Sequence, residues 1–287
     1  MRDRNKANTI LIVCSAIWGF TFVLQKIGSQ HLEPFSFNAI RFLIGFLTIL
    51  PFALKRKGGF PFKESIFAGG LLFTAISMQQ IGVEFTSTGN AAFITGLYVI
   101  IIPLISVACG QKISSNNWVA GGLSLCGLYL ICGGASSISN GDLIILVSSF
   151  VWAFQVIYIA SVSRKVDVIQ LAAGQFFICC VFSLIVSASF ESFQYSGFVN
   201  CWEAVVAVGV ISTGLAYTLQ IKGQSGTTPE TASVIMSFEA VFALAGGMLF
   251  LNETITMQIL GGCLIMLAAM IISQLPPKKE EAHDIAL

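Results

Sequence analysis

Residues 9–28 read TILIVCSAIWGFTFVLQKIG, twenty residues whose one charge, Lys26, stands near the end. At 1.5 Å per residue, a helix of this length crosses the roughly 30 Å of hydrocarbon in a bilayer. Working outward, apolar blocks of similar length recur at 34–54, 66–84, 89–110, 117–135, 141–162, 168–189, 202–222, 229–250 and 256–275. Short connectors carrying turn residues divide them, as at 55–61, 114–117, 136–141, 223–229 and 252–254. The chain reads as an all-α integral membrane protein with ten transmembrane helices.

Composition agrees. Of 287 residues, 55% are hydrophobic and 10% charged, where a soluble domain carries about 25% charged residues. A formal net charge of +1 leaves no basic footprint for nucleic acid. The eight cysteines mostly lie inside apolar blocks and lack the short paired spacings of zinc or disulfide frameworks, so they read as small core residues, with no metal or cofactor expected. The basic start, Met1 to Lys6, leads into an apolar run that continues to Gly28 without an A-x-A cleavage pattern. The first block therefore reads as an uncleaved span.

Basic residues test the span count, because they favour cytoplasmic connectors. With ten spans, Arg2, Arg4, Lys6, Lys55, Arg56, Lys57, Lys63, Lys112, Arg164, Lys165, Lys222, Lys278 and Lys279 all fall on one side. The opposite connectors hold no Lys or Arg. Both termini are expected in the cytoplasm, in a multi-pass protein of the plasma (inner) membrane. Lys26 and Arg41 fall within the first two spans, toward the outer face.

The chain also resembles itself. A shift of 134 lays Ser15, Trp18, Phe20 and Phe42 on Ser149, Trp152, Phe154 and Phe176, with Arg41 on Gln175. A shift of 140 lays Gln80 and Ile81 on Gln220 and Ile221, Ala92 on Ala232, and Gly121–Gly122 on Gly261–Gly262. Five spans per copy is odd, so the second copy enters from the opposite side, and the expected architecture is two inverted five-helix repeats around a central cavity. The expected divisions are 1–136, 137–276 and a cytoplasmic tail at 277–287.

Several stretches together resemble the EamA branch of the drug/metabolite transporter superfamily, over nearly the whole chain. They are Ser15-Ala16-Ile17-Trp18-Gly19, Arg41-Phe42, Thr86-Ser87-Thr88-Gly89-Asn90-Ala91-Ala92-Phe93 and Pro103, then Ser237-Phe238-Glu239-Ala240, Asn252-Glu253 and Gly261-Gly262. The resemblance implies a carrier that exports amino acids, other small metabolites or drugs through a cavity between its halves. Ala240 stands where many relatives carry proline, which removes the proline source of a kink.

Candidate substrate-binding residues follow from placement. Trp18 and Trp152 are matched between repeats and lie inside their spans; helical spacing puts Phe22 and Gln25 on the face of the first and Gln155 beside the second. They either wall a cavity or pack between helices. Glu239, near the middle of the ninth span, must face a cavity or a partner, in a substrate or proton role or as a hydrogen-bonded structural group. Arg41 either holds a substrate carboxylate or anchors its helix. Gln79, Gln80, Asn90, Tyr98, Thr213, Tyr217 and Gln220 are uncharged polar or amphipathic groups suited to orienting a solute, or to bonding helices together. As a set they favour zwitterionic, aromatic or amphipathic solutes over phosphates. Ser15 with Gly19, Ser149 with Ala153 and Ala243 with Gly247 are small residues four apart that let helices approach closely.

The remaining patterns narrow the class. No G-x-x-x-x-G-K-[ST] stretch is present for ATP binding. The two histidines, His31 and His283, fall in a connector and in the tail, and no G-x-S-x-G elbow occurs, which argues against an enzyme. The expected function is secondary transport of small metabolites, foremost amino acids or related amphipathic solutes, by alternating access. Multidrug efflux is the alternative, with a non-transporting receptor behind it. The expected partners are a small-molecule substrate and the lipid bilayer, and the sequence is compatible with a monomer or a homodimer.

Overall fold

The computed structural model describes residues 2–85, 93–131, 139–192, 195–251 and 256–275. Among them every regular element is helical. In chain order these are α1 (Arg2–Ser29), α2 (Pro34–Leu54), α3 (Phe62–Glu84), α4 (Tyr98–Ala108), α5 (Ser115–Ile131) and α6 (Asn140–Val162). There follow α7 (Val168–Phe190), α8 (Tyr195–Gln224), α9 (Pro229–Met236), α10 (Glu239–Leu251) and α11 (Met257–Gln274). Among the described residues, six helices are long and apolar enough to cross a membrane by length and composition: α2, most of α3, α6, α7, α8 and α11. Of the other expected spans, α5 is 17 residues long, and the fourth and ninth are interrupted.

Local chemistry sets where these helices start. The Asp167 side chain accepts from the Ile169 and Gln170 amides to open α7, and Ser139 with Asp142 forms a reciprocal capping box at α6. Thr228, with Pro229 at the first helical position, opens α9, and Thr256 opens α11. Two boundaries differ from the apolar blocks. Helix α5 begins at Ser115 rather than at Asn117, and α8 begins at Tyr195 rather than near 202, because a helix continues past the hydrocarbon wherever its polar end meets other backbone or water.

The fourth and ninth spans break at corresponding places. A helical turn at 93–96 stops at Leu97 before α4, and α9 stops at Ser237–Phe238 before α10. Leu97 and Ser237 are related by the shift of 140. No proline is needed: the chain tightens into three-residue bonds, with the Phe238 amide donating to Ile235 and the Ala240 amide to Ser237, both at 3.2 Å.

Several packing contacts between the halves of the chain are matched. Ser15 Oγ donates to the Ile235 carbonyl at 3.0 Å, and Ser149 Oγ to the Ile94 carbonyl at 2.6 Å. A Cβ on Gly69 would lie 2.6 Å from Ile178 Cβ, and one on Gly209 would lie 2.7 Å from Ile44 Cβ. Helix α1 packs on α8 and α10 as α6 packs on α3 and α4, and α2 packs on α8 as α7 packs on α3.

Helices that correspond to one another pair antiparallel. For α2 with α7, the Glu191 carboxylate at the end of α7 accepts from the Phe35 and Ser36 amides at the start of α2, both at 2.7 Å, while Arg56 beyond α2 pairs with Asp167 before α7 at 3.7 Å. The negative charge there sits on the positive end of α2. For α5 with α11, Gln258 Nε2 donates to the Leu130 carbonyl at 3.1 Å, so the start of α11 meets the end of α5.

One end of the bundle is tied by a chain of polar contacts. Arg164 donates to the Ser225 and Thr227 carbonyls, Thr231 Oγ1 donates to Asn117 Oδ1 and to the Ser273 carbonyl, and Arg4 donates to the Gln274 carbonyl at 2.9 Å. Together with the Arg56–Asp167 pair, these gather the connectors after α2, α6 and α8, and the outer ends of α1 and α11, onto one face.

A central cavity walled by aromatic and amide side chains

Tyr217 is the hub of the interior. Its ring centroid lies 4.8 Å from that of Trp18 at 62°, and 6.4 Å from that of Trp152 at 10°. Phe42 and Phe176, themselves related by the shift of 134, lie 6.1 and 6.2 Å from it on the other side. Aromatic pairs at these spacings gain energy beyond the area they bury. Two matched pairs of rings thus surround a tyrosine that has no aromatic counterpart, since Ser77 occupies the corresponding position in the first half.

Beside this hub lies a cavity of about 70 Å³. That is room for several waters or a small solute. Its wall comes from both halves: Trp18 and Gln25 of α1, Ile76 and Gln79 of α3, Thr95 and Tyr98 around the first helix break, and Trp152 and Val156 of α6. Helix α8 adds Ser212, Tyr217 and Gln220, and the second break adds Met236 and Glu239. Each break therefore delivers a helix start to the cavity, with Tyr98 opening α4 and Glu239 opening α10.

Of the residues expected to bind or orient substrate, Trp18, Gln25, Gln79, Tyr98, Trp152, Tyr217, Gln220 and Glu239 line this cavity. Gln80, Gln155 and Arg41 lie behind the wall, buried among the helices. Gln80 accepts from Gln25 Nε2 at 3.3 Å, and Gln155 accepts from Gln220 Nε2 at 3.4 Å. Asn90 and the Phe22 side chain lie outside the described residues. Arg41 is 1% exposed, donates to Gln25 Oε1 at 3.1 Å and sits 5.6 and 4.9 Å from the Phe37 and Phe42 ring centroids. Stacked between rings, the guanidinium keeps part of the stabilisation that burial takes away.

Ser212, Ile76, Thr95, Val156 and Met236 complete the wall without having been singled out in the sequence. Ser212 belongs to a π-helical stretch, Val208–Tyr217, in which wider turns release main-chain carbonyls. Its carbonyl accepts from Trp18 Nε1 at 3.3 Å, fixing the indole against the cavity. Gln79 Nε2 donates to Thr95 Oγ1 at 3.1 Å, holding the first break to α3. Glu239 is the one wall residue with a formal charge, and its carboxylate has no ion-pair or hydrogen-bond partner among the described residues.

Apolar helices of bilayer-crossing length around a polar, aromatic-walled cavity define a multi-pass membrane protein with an internal cavity. The profile of the EamA-like transporter family matches the chain twice, over residues 5–133 and 139–274. An uncharacterized transporter of Archaeoglobus fulgidus is 33% identical over 268 residues, covering 92% of this chain and 84% of that protein. The uncharacterized transporter YoaV of Bacillus subtilis is 24% identical, over 89% of this chain and 92% of its own length. The uncharacterized inner membrane transporter YedA of Escherichia coli is 26% identical over 55% of this chain and 56% of its own. A solved crystal structure superposes with a TM-score of 0.83 at 17% identity, over 96% of this chain and 99% of that one, a likeness of fold. The chain belongs to the EamA-like transporter family, and it is a membrane transporter rather than an enzyme.

Proposed function

We propose that this protein is a secondary carrier of the plasma (inner) membrane that exports small amphipathic metabolites, foremost amino acids or related solutes, by alternating access. The observation that carries the reading is a cavity built from both halves of the chain, with indole, phenol and amide groups facing one solute-sized space. Such a wall binds a ring or aliphatic body by area and orients its polar end by a few hydrogen bonds.

Ten spans in two inverted repeats, 1–136 and 137–276, supply the machinery in this proposal. Its support is the exchange of matched contacts between halves and the antiparallel pairing of α2 with α7 and of α5 with α11. Equivalent helices that cross antiparallel are what a two-fold axis in the membrane plane produces, and rocking about that axis opens a midplane site to either face in turn. In this proposal the gathered connectors, with their arginines and lysines, face the cytoplasm together with both termini, as the preference of basic residues for cytoplasmic connectors supports.

The test is uptake into proteoliposomes of a mixed panel of amino acids, aromatic metabolites and lipophilic cations, read by mass spectrometry with and without an imposed pH gradient. Saturable movement of an amino acid supports the proposal. Movement of lipophilic cations alone would replace it with drug efflux, and no movement of any solute would favour a receptor.

A further inference from the structure

We infer that the chemical feature this cavity selects is a positively charged ammonium nitrogen, held against the Glu239 carboxylate among the rings of Trp18, Tyr98, Trp152 and Tyr217, and that a carboxylate on the solute is dispensable. The inference deepens the carrier reading and rests on it for the route by which the solute arrives and leaves.

Three observations combine. First, Glu239 is the wall's one formal charge, and among the described residues nothing neutralises it. A carboxylate held away from water is costly unless a counter-charge reaches it, so a solute that brings a cation gains from the pairing and one that brings an anion is repelled.

Second, four of the wall residues are Trp or Tyr. The faces of such rings carry negative potential and attract a cation within about 6 Å of the centroid, with Trp the strongest. The Trp18 indole is fixed edge-on to Tyr217 and anchored by its bond to the Ser212 carbonyl, so part of this surface is ordered before any solute enters.

Third, the nearby cation is already committed elsewhere. Arg41 lies behind the wall, bonded to Gln25 and enclosed by Phe37 and Phe42, with Gln25 facing the cavity in its place. A solute carboxylate would meet the neutral amides of Gln25 or Gln79 rather than the guanidinium. Amino acids are therefore accepted for their ammonium group, and amines lacking a carboxyl group are accepted equally.

The experiment compares four ligands with one phenyl body: phenylalanine, (2-phenylethyl)trimethylammonium, N-acetylphenylalanine and 3-phenylpropionate. Binding to the purified full-length protein is read by calorimetry, and flux by proteoliposome uptake. The two ligands with a cationic nitrogen bind; the two without it bind roughly 30-fold more weakly or worse, the scale set by losing one partner of a desolvated charge pair. Glu239→Gln brings the first pair down to the second without lowering the melting temperature, and Glu239→Asp restores part of the difference.

Equal binding of 3-phenylpropionate, failure of all four to bind, or indifference to Glu239→Gln overturns the inference. If other solutes move saturably in those cases, the carrier proposal survives alone. Cation-dependent binding with no flux of any solute keeps the inference and removes the carrier proposal.

Discussion

Arg41 donates to Gln25 Oε1 at 3.1 Å, and this bond ties the buried guanidinium to α1, one of the helices that wall the cavity. Gln25 passes the link on to Gln80. Removing the acceptor strands a charged donor in the interior, which costs on the order of 1–3 kcal/mol, whereas replacing a buried ion by an apolar side chain of similar length is often nearly neutral. Gln25→Leu is expected to lower the melting temperature in detergent by several degrees, and Arg41→Met by less. The reverse order would show that Arg41 contributes stability of its own and is more than an accommodated charge.

Ser15 and Ser149 are expected to be energetically equivalent. Each hydroxyl donates to a carbonyl at the opposite half's broken span, Ile235 for the one and Ile94 for the other. Hydrogen bonds between helices in a membrane average about 0.6 kcal/mol, so Ser15→Ala and Ser149→Ala should each produce a small loss, similar in size and additive in the double variant. Thermal melts of the three variants check this. A large loss in one variant with none in the other would break the equivalence of the two halves.

These matched serines also mark what the sequence made legible. The positions of the six helices of bilayer-crossing length were readable because lipid-crossing blocks are set by length, and the Trp18–Trp152 and Phe42–Phe176 correspondences stand as identities. Facing was harder, because a helix between lipid and protein is apolar all round, and periodicity does not separate its two sides. Gln80 and Gln155 thus looked the same as Gln79 and Gln25, yet they stand behind the wall. The breaks at Leu97 and Ser237–Phe238 carry no proline, and only the first has a glycine beside it, Gly96, while Ser212 contributes a carbonyl, which no side-chain pattern reveals.

Gly69 and Gly209 hold the close crossings of α3 on α7 and of α8 on α2. An added methyl group would come 2.9 Å from the Gln175 carbonyl oxygen in one case and 3.2 Å from that of Arg41 in the other, besides meeting Ile178 or Ile44. Overpacking of this kind costs about 1–3 kcal/mol. Gly122, also helical, meets nothing within 4 Å, so alanine there gains helix propensity of up to about 1 kcal/mol. Melting temperatures should therefore fall for Gly69→Ala and Gly209→Ala and hold or rise for Gly122→Ala. A fall for all three would mean that helix spacing is not what these glycines set.

Lys57 and Gln30 are both exposed, in the connectors after α2 and after α1. The proposed topology puts them on opposite sides of the membrane. In a cysteine-free background, Gln30→Cys should react with a membrane-impermeant maleimide in intact cells, and Lys57→Cys only after the cells are opened. The opposite pattern would invert the assigned orientation, and labelling of both in intact cells would contradict the span count.

Glu239 offers a separate test of energetics. A pH gradient drives a solute only through a group that takes up and releases a proton while exposed to the cavity, and Glu239 is the carboxylate that lines it. Glu239→Gln keeps the shape and the helix start but holds no exchangeable charge. If flux is proton-linked, gradient-driven accumulation in proteoliposomes should vanish in this variant while its thermal melt stays that of the parent. Glu239→Asp, which retains a carboxylate one methylene shorter, should recover part of the response. Undiminished pH-driven transport in Glu239→Gln would remove the residue from coupling and from the role of a counter-charge for the solute alike.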